Sequence, residues 1–375
     1  MASEVFFIDQ RGGARDSVPS RFKRLMAAVG LTKMDLNGKY VAIKAHFGEN
    51  GNASYLKPLY ARAVAEVVKE AGGIPFVTDC STLYPGMRCN GVGHLLCAEL
   101  NGFNSVSAGC PVVIADGIRG DDEVAVPIPQ AEGGETLLQE AYFGRALMDA
   151  DLVIALTHVK GCMSTSYAGA IKNVAMGCGS RRGKKDMHCD TNPFVNPEAC
   201  IGCGRCVSEC GQDGIEMRDG KAFINERCAG CAHCLVICPK KAINTQMDHD
   251  WSKLQRKLGE YAAAFASQKK TLHLGVAVDV VPHCDCFAQS EAPLVGDIGM
   301  FASWDMVALD QAAADAIDAQ PPIPTSALPE LHASDPHGER GHTHVINVDS
   351  DWEVALAEAE RLGAGTRAYE LKVVK

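Results

Sequence analysis

The chain contains no run of about 18 or more consecutive apolar residues, and without one no helix of it is expected to cross a bilayer. Its opening residues, Met1-Ala2-Ser3-Glu4-Val5, carry neither a basic start nor a long apolar core, so a secretory signal is not expected. Basic residues are in deficit. The 36 Lys and Arg against 46 Asp and Glu leave a net charge of −10, which argues against nucleic acid as the main partner. P-loop and dinucleotide fingerprints are missing too: Gly177-x-Gly179-x-x-x-Gly183 has the wrong spacing for either. Cysteine, by contrast, is abundant. Seventeen cysteines without an export signal point to a reducing, cytoplasmic setting in which thiolates serve metal.

Eight of the cysteines fall in two runs. Cys200, Cys203, Cys206 and Cys210 form the first; Cys228, Cys231, Cys234 and Cys238, followed by Pro239, form the second. Each reads C-x2-C-x2-C-x3-C, the spacing by which a bacterial ferredoxin loop wraps a [4Fe–4S] cube. Three close thiolates can turn around one face of a cube, and the fourth crosses to the other cluster. Crossed ligation assigns Cys200, Cys203, Cys206 and Cys238 to one cluster, and Cys228, Cys231, Cys234 and Cys210 to the other. A structural zinc site needs only four ligands, so eight in this pattern exceed it. A disulfide framework belongs to short secreted chains. The first run departs from the ferredoxin pattern in one respect, with Gly211 where proline is usual.

With 375 residues the chain is long enough for two or three domains. Residues 39–46 alternate as a strand ending at His46, a helix follows to Gly72-Gly73, and Ile74–Thr78 is a second strand ending at Asp79. A helix is expected over 91–101, a strand over 112–115, a loop or hairpin over 121–134, a helix over 136–148 and a strand over 152–157 ending at His158. Residues 176–185 read as irregular. A helix over 251–265 and a strand over 272–281 follow, then a loop-like stretch over 294–303 and a helix over 304–317. Residues 319–344 read as a surface excursion, before a last helix over 352–362 and a last strand over 368–374. The class is therefore α/β: a mainly parallel open sheet flanked by helices, with an inserted α+β bacterial ferredoxin-like module. The expected division is 1–190 and 248–375 for the α/β domain and 191–247 for the insertion.

Several motifs carry a resemblance: His46-Phe47-Gly48-Glu49-x-Gly51-Asn52, Thr78-Asp79 with Thr82-Leu83-Tyr84, and His158-x-Lys160-Gly161. Gly169-Ala170-x-Lys172-Asn173 running into Gly177-Cys178-Gly179-Ser180-Arg181, Met187-His188, and Cys284-Asp285-Cys286 with Asp297-Ile298-Gly299 complete them. The chain resembles, over nearly all its length, a family of iron–sulfur proteins known as domain of unknown function three-six-two. The resemblance implies this fold and the two clusters, and no settled reaction. The first βαβ unit is also weakly similar to nickel-cofactor lactate racemases.

His46, Asp79 and His158 fall at the carboxyl ends of predicted strands, where open α/β sheets bind ligands. His46 and His158 are the natural proton donors, with Asp79 beside them. Lys172 and Lys160, with Asn173, suit an anionic substrate or an enolate-like charge. Arg181 and Lys184 belong to a basic run among glycines that reads either as a solvated loop or as an anion cradle for a cofactor. Cys284 and Cys286, after a predicted strand, read either as plain loop thiols or as a third metal or thiol-chemistry site; an organic cofactor is a further expectation for the pocket.

The expected function is an iron–sulfur redox protein. Two [4Fe–4S] clusters would take electrons from a low-potential donor or acceptor protein and deliver them to a polar pocket, reducing a small anionic or carbonyl substrate. Two rivals stand beside it: a non-catalytic electron carrier, and a lyase or isomerase whose clusters are structural. No nucleic acid or membrane partner is expected, and oligomeric state is left open.

Overall fold

The computed structural model describes residues 2–375 apart from 85, 133, 190–192, 211–212, 229–232, 245–250 and 339. Eight strands form one sheet: β1 (Ser3–Asp9), β2 (Tyr40–Lys44), β3 (Ile74–Asp79), β4 (Val112–Ile114), β5 (Leu152–His158), β6 (Thr271–Ala277), β7 (Gly299–Ser303) and β8 (Tyr369–Val373). Their spatial order is β8-β1-β7-β6-β5-β2-β3-β4. Neighbours from β6 through β5, β2 and β3 to β4 are parallel. Only β7 runs against its neighbours β1 and β6. The mainly parallel α/β class is thus present.

Pleating sends successive side chains to opposite faces, and both faces are covered. Val41 and Ile43 of β2 join a core with Phe22 of α1 (Val18–Ala28) and Val64 of α2 (Pro58–Glu70). Ala42, between them, joins a second core with Val174 of α3 (Ala170–Cys178), Tyr261 of α4 (Trp251–Gln268) and Leu309 of α5 (Met306–Asp318). β5 and β6 are buried at every residue. From β2 the chain steps outward to β3 and β4, then returns to place β5 on the other side of β2. The order reverses between β2 and β5, and such a reversal opens a crevice at the carboxyl ends of the strands.

One consequence of this burial is testable by pH. His273 lies inside β6 at 1% exposure, and burial alone pushes its pKa down to about 3. The unfolded chain protonates this imidazole near 6.5, whereas the folded chain holds it neutral, so stability falls as pH drops from 6.5 toward 3. Thermal unfolding followed by circular dichroism should show that decline, and His273→Leu should flatten it.

Three local expectations are corrected. Residues 136–148 are not one helix: Glu140–Gly144 is a strand paired antiparallel with Glu123–Pro127, and only Arg145–Asp149 is helical. Tertiary contacts decide this. Phe143 packs edge-on to Tyr261 and Phe265, and the Glu260 carboxylate accepts the Leu137 and Leu138 amides. Residues 176–185 are not irregular, since α3 runs to Cys178 and a further helix spans Arg181–His188. Ser180 caps that helix through the Gly183 N–H, and a Cβ at Gly183 would meet the Tyr142 carbonyl at 2.4 Å. The stretch 294–303 is not all loop, because it ends in β7, an interior strand of the sheet.

The chain leaves the sheet after His188 and returns with α4 and β6. Between them lies a small unit with an internal repeat of 28 positions, the offset from Cys200 to Cys228. Phe194–Val195 pairs antiparallel with Ile243–Asn244, and Ile215–Arg218 pairs with Lys221–Ile224. Short helices Arg205–Ser208 and His233–Ile237 occupy equivalent places. Asp213 and Lys241, also 28 apart, both take positive φ, at 50° and 48°. Two copies of one turn therefore close the two halves, although Gly211, which with Gln212 lies outside the described residues, breaks the sequence pattern.

Candidate functional site

Two constellations emerge, one in the repeated unit and one at the crevice of the sheet. In the unit, Cys200, Cys206 and Cys234 are buried in a core with Ile215, Ala222 and Ile243, and Cys210 and Cys238 pack against it. One cavity is lined by Cys200, Cys203, Cys206 and Cys238, with Ile201 and Pro239. Cys238 belongs to the other run, yet it faces the first three. Cys231 lies outside the described residues. Backbone amides point at sulfur: Cys210 Sγ accepts from Gly214 N at 3.3 Å and Cys238 Sγ from Ala242 N at 3.2 Å. The Cys200 thiol is pushed down by the N–H groups of Ala222 and Gly202. Four cysteines lining one cavity, with N–H groups directed at Cys200 and Cys238, form a donor set that would suit an anionic iron–sulfur cube, whose potential such hydrogen bonds tune. None of the described cysteines is disulfide-bonded.

The crevice is built from the ends of four adjacent strands, β6, β5, β2 and β3. A lysine in a strand covered on both faces must find a charge partner. Lys44, fully buried, ion-pairs with Asp79 at 3.1 Å and donates to Asn173 Oδ1 at 2.8 Å. Burial raises the Asp79 carboxyl, but the charges of Lys44 and His94 outweigh it and hold it well below the usual range. Arg88, from the loop after β3, binds Glu49 at 3.1 Å and the Tyr84 hydroxyl at 2.7 Å.

The two strand-end histidines are in opposite surroundings. His46 faces donors on both sides: Gly48 N–H lies 2.9 Å from Nδ1 and the Arg88 guanidinium 3.1 Å from Nε2. Burial, and then the Arg88 charge, hold His46 well below its ordinary pKa, so it stays neutral. His158 faces acceptors on both sides, the Asp285 carboxylate 3.0 Å from Nδ1 and the Val278 carbonyl 2.9 Å from Nε2. A guanidinium has no lone pair to offer and a carbonyl no proton, so the geometry turns His46 toward donors and His158 toward acceptors. Asp285 is opposed by burial, but His158 and Lys160 outweigh it, and its carboxyl lies far below the usual range.

Around this frame three thiols meet. The hairpin Lys160–Cys162 with Ser166–Ala168 lies against residues 281–282, with Gly161 N donating to Val281 O. A Cβ on Gly161 would sit 2.9 Å from the Pro282 carbonyl, so only glycine permits the approach. This carries Cys162 to Cys284 in a small buried cluster with Cys286 at its edge. Cys284 Sγ and Cys286 Sγ are 2.8 Å apart, and Cys286 Sγ is 3.7 Å from His46 Nε2. Lys172 Nζ lies 2.5 Å from Cys162 Sγ and 3.9 Å from Cys284 Sγ; Lys160 Nζ lies 4.0 Å from Cys284 Sγ and 3.6 Å from Asp285. The Cys284 contact pushes the Cys286 thiol down to about 5 against burial, with Arg88, Lys172 and Lys160 assisting. The same partner, together with burial, pushes Cys162 up to about 11.

Of the residues singled out in the sequence, His46, Asp79, His158, Lys160, Lys172, Asn173, Cys284 and Cys286 thus converge. Arg181 and Lys184 do not share these contacts: their cations bind the carbonyls of Cys89 and Gly179. Asn52 turns its own loop, its side-chain oxygen accepting from Ser54 N and Tyr55 N. Sequence reasoning gave no site role to Lys44 or Arg88, and read Asp285 only as part of the Cys284-Asp285-Cys286 turn. For Lys44 a signal existed, a charge inside an apolar strand; for Arg88 there was none. His188 senses the charges of Lys172 and Cys162 and is followed, within six residues, by the repeated unit.

A family model described as Domain of unknown function (DUF362) matches residues 41–315. No curated protein matches the chain. Among solved structures, a protein from Thermotoga maritima is 12% identical with a TM-score of 0.36, covering 69% of this chain and 49% of that one. The lactate racemase apoprotein from Thermoanaerobacterium thermosaccharolyticum is 11% identical with a TM-score of 0.38, covering 74% of this chain and 51% of that one. The chain spans about half the length of these two structures, and at such scores neither likeness bears on the chemistry of the crevice. Among the described residues no helix is long and apolar enough to cross a membrane.

Proposed function

For this chain, which belongs to the DUF362 family, we propose an iron–sulfur redox protein. Residues 191–247 form a ferredoxin-like insertion dividing an α/β domain into 1–190 and 248–375. The observation that carries the reading is the cavity lined by Cys200, Cys203, Cys206 and Cys238, three sulfurs of one run and the last of the other. It is the partition that crossed ligation requires, and by the 28-residue repeat Cys228, Cys231, Cys234 and Cys210 hold the second cluster. When bound, the clusters supply one-electron transfer with a low-potential donor or acceptor protein.

The crevice is the acting site. Lys160 and Lys172 bind and orient a small anionic or carbonyl-bearing substrate. Lys44 and Asp79 fix Asn173, whose amide bonds Thr157 at 3.0 Å. His158 bridges Asp285 and the Val278 carbonyl, and so positions the Cys284–Cys286 turn rather than serving as a free acid. The carrier alternative is less favoured, because a bare carrier has no use for buried cations gathered at a sheet's switch point.

Metal analysis after anaerobic purification tests the reading. Iron and acid-labile sulfide should each approach about eight per chain, with broad visible absorption bleached by dithionite. Stoichiometric zinc with a colourless protein would refute it.

A further inference from the structure

We infer that Cys284 and Cys286 form a redox-active dithiol, whose sulfurs close into a disulfide on oxidation and open to two thiols on reduction. Three observations on different groups lead there. The sulfurs stand 2.8 Å apart on residues separated by a single position. Between them Asp285 turns the opposite way and is pinned: its carboxylate takes His158 and Lys160, and its carbonyl accepts the Glu49 amide at 2.8 Å. The pin leaves the two flanking sulfurs on one side of the turn, which a disulfide across so short a loop requires.

The third observation is charge. Among the described contacts of Lys172, the ammonium meets sulfur, that of Cys162 and that of Cys284. Lys160 reaches Cys284 as well as Asp285. Cations gathered on thiols favour thiolates, the form that attacks and departs in disulfide chemistry. The same cations oppose a metal ion, which would sit between two ammonium groups. Cys162 places a third sulfur beside Cys284, but its own thiol is pushed up, which leaves the C-x-C pair as the reactive one.

The step balances without any group from outside the stated classes. Reduction breaks the Sγ–Sγ bond with two electrons from a low-potential iron–sulfur or dithiol donor, one pair-forming electron to each sulfur. The thiolates then take two protons from solvent or are met by Lys160 and Lys172. Oxidation reverses each transfer and passes both electrons to an acceptor. The inference rests on the proposed function only for its electron source.

The test uses the full-length, anaerobically purified protein. It is equilibrated across oxidised-to-reduced dithiothreitol ratios, its free thiols are trapped with iodoacetamide, and its peptides are weighed. The peptide holding residues 284–286 should lose both alkyl groups together, in one two-electron transition, and Cys286→Ser should leave Cys284 alkylated at oxidising ratios where wild type is not. Cys284 and Cys286 alkylating fully across the whole series would overturn the dithiol. So would a Cys162–Cys284 cross-link in place of the C-x-C pair. Protection of both thiols at every ratio, with one extra metal ion per chain that Cys284→Ser loses, would also overturn it and assign a metal site. Visible absorption on the same samples separates the two readings: a colourless protein with an intact two-electron transition sinks the clusters alone.

Discussion

Replacing Cys203 and Cys238 together by alanine is expected to remove no more iron than replacing either one alone. By the proposed crossed ligation both serve the one cluster assigned to the cavity they line, so iron should fall from about eight to about four per chain in Cys203→Ala, in Cys238→Ala and in the double variant. Cys203→Ala combined with Cys210→Ala should fall toward zero, because those two serve different clusters. If each run ligated its own cluster, the two double variants would exchange results. The comparison stays informative where cluster loss loosens the unit, because the single variants set the baseline. Inductively coupled plasma analysis with sulfide determination reads it.

The second large effect is expected at Asp285, which is fully buried and carries the charges of His158 and Lys160. Asp285→Asn keeps the shape and removes the charge. The buried Lys160 cation left without its anion costs about 3–5 kcal/mol, since its charge was brought out of water on the strength of that partner. For a domain of this size that lowers the melting temperature by on the order of 10 °C. The same change frees the turn between Cys284 and Cys286, so thiol trapping should find the pair oxidising less readily. An unchanged melting temperature would show that His158 and Lys160 sit neutral in the fold. A double variant with His158→Gln should then recover part of the loss, as coupled sites do.

Where the chain was legible, local chemistry made it so. The two cysteine runs were legible because each repeats C-x2-C-x2-C-x3-C within a few consecutive residues, a spacing read along one segment. The parallel sheet was found because strands covered on both faces need nearly continuous apolar runs, as in Leu152–Leu156 and, interrupted by His273, Leu272–Val276. Asp79 and His158 do close their strands, because a strand stops where its apolar run stops, whereas His46 lies two residues beyond the end of β2 at Lys44. The helix expected over 136–148 failed for the opposite reason: Phe143 finds its partners, Tyr261 and Phe265, more than a hundred positions away.

The sequence by itself determined the class of fold, the two cysteine runs and the residues available at the carboxyl edge, since each follows from spacing along one segment. Only the tertiary structure decided what those residues are to one another. That His46 is held neutral while His158 is set between acceptors depends on Arg88, Asp285 and the Val278 carbonyl, which arrive from other strands and loops. That Cys162 joins Cys284, and that Lys172 meets sulfur instead of carboxylate, depends on a hairpin pressed against Pro282 through the bare Gly161. Protonation and thiol reactivity are set by the field of neighbours within a few ångströms, and in this fold several of those neighbours lie 42 to 240 positions apart in sequence.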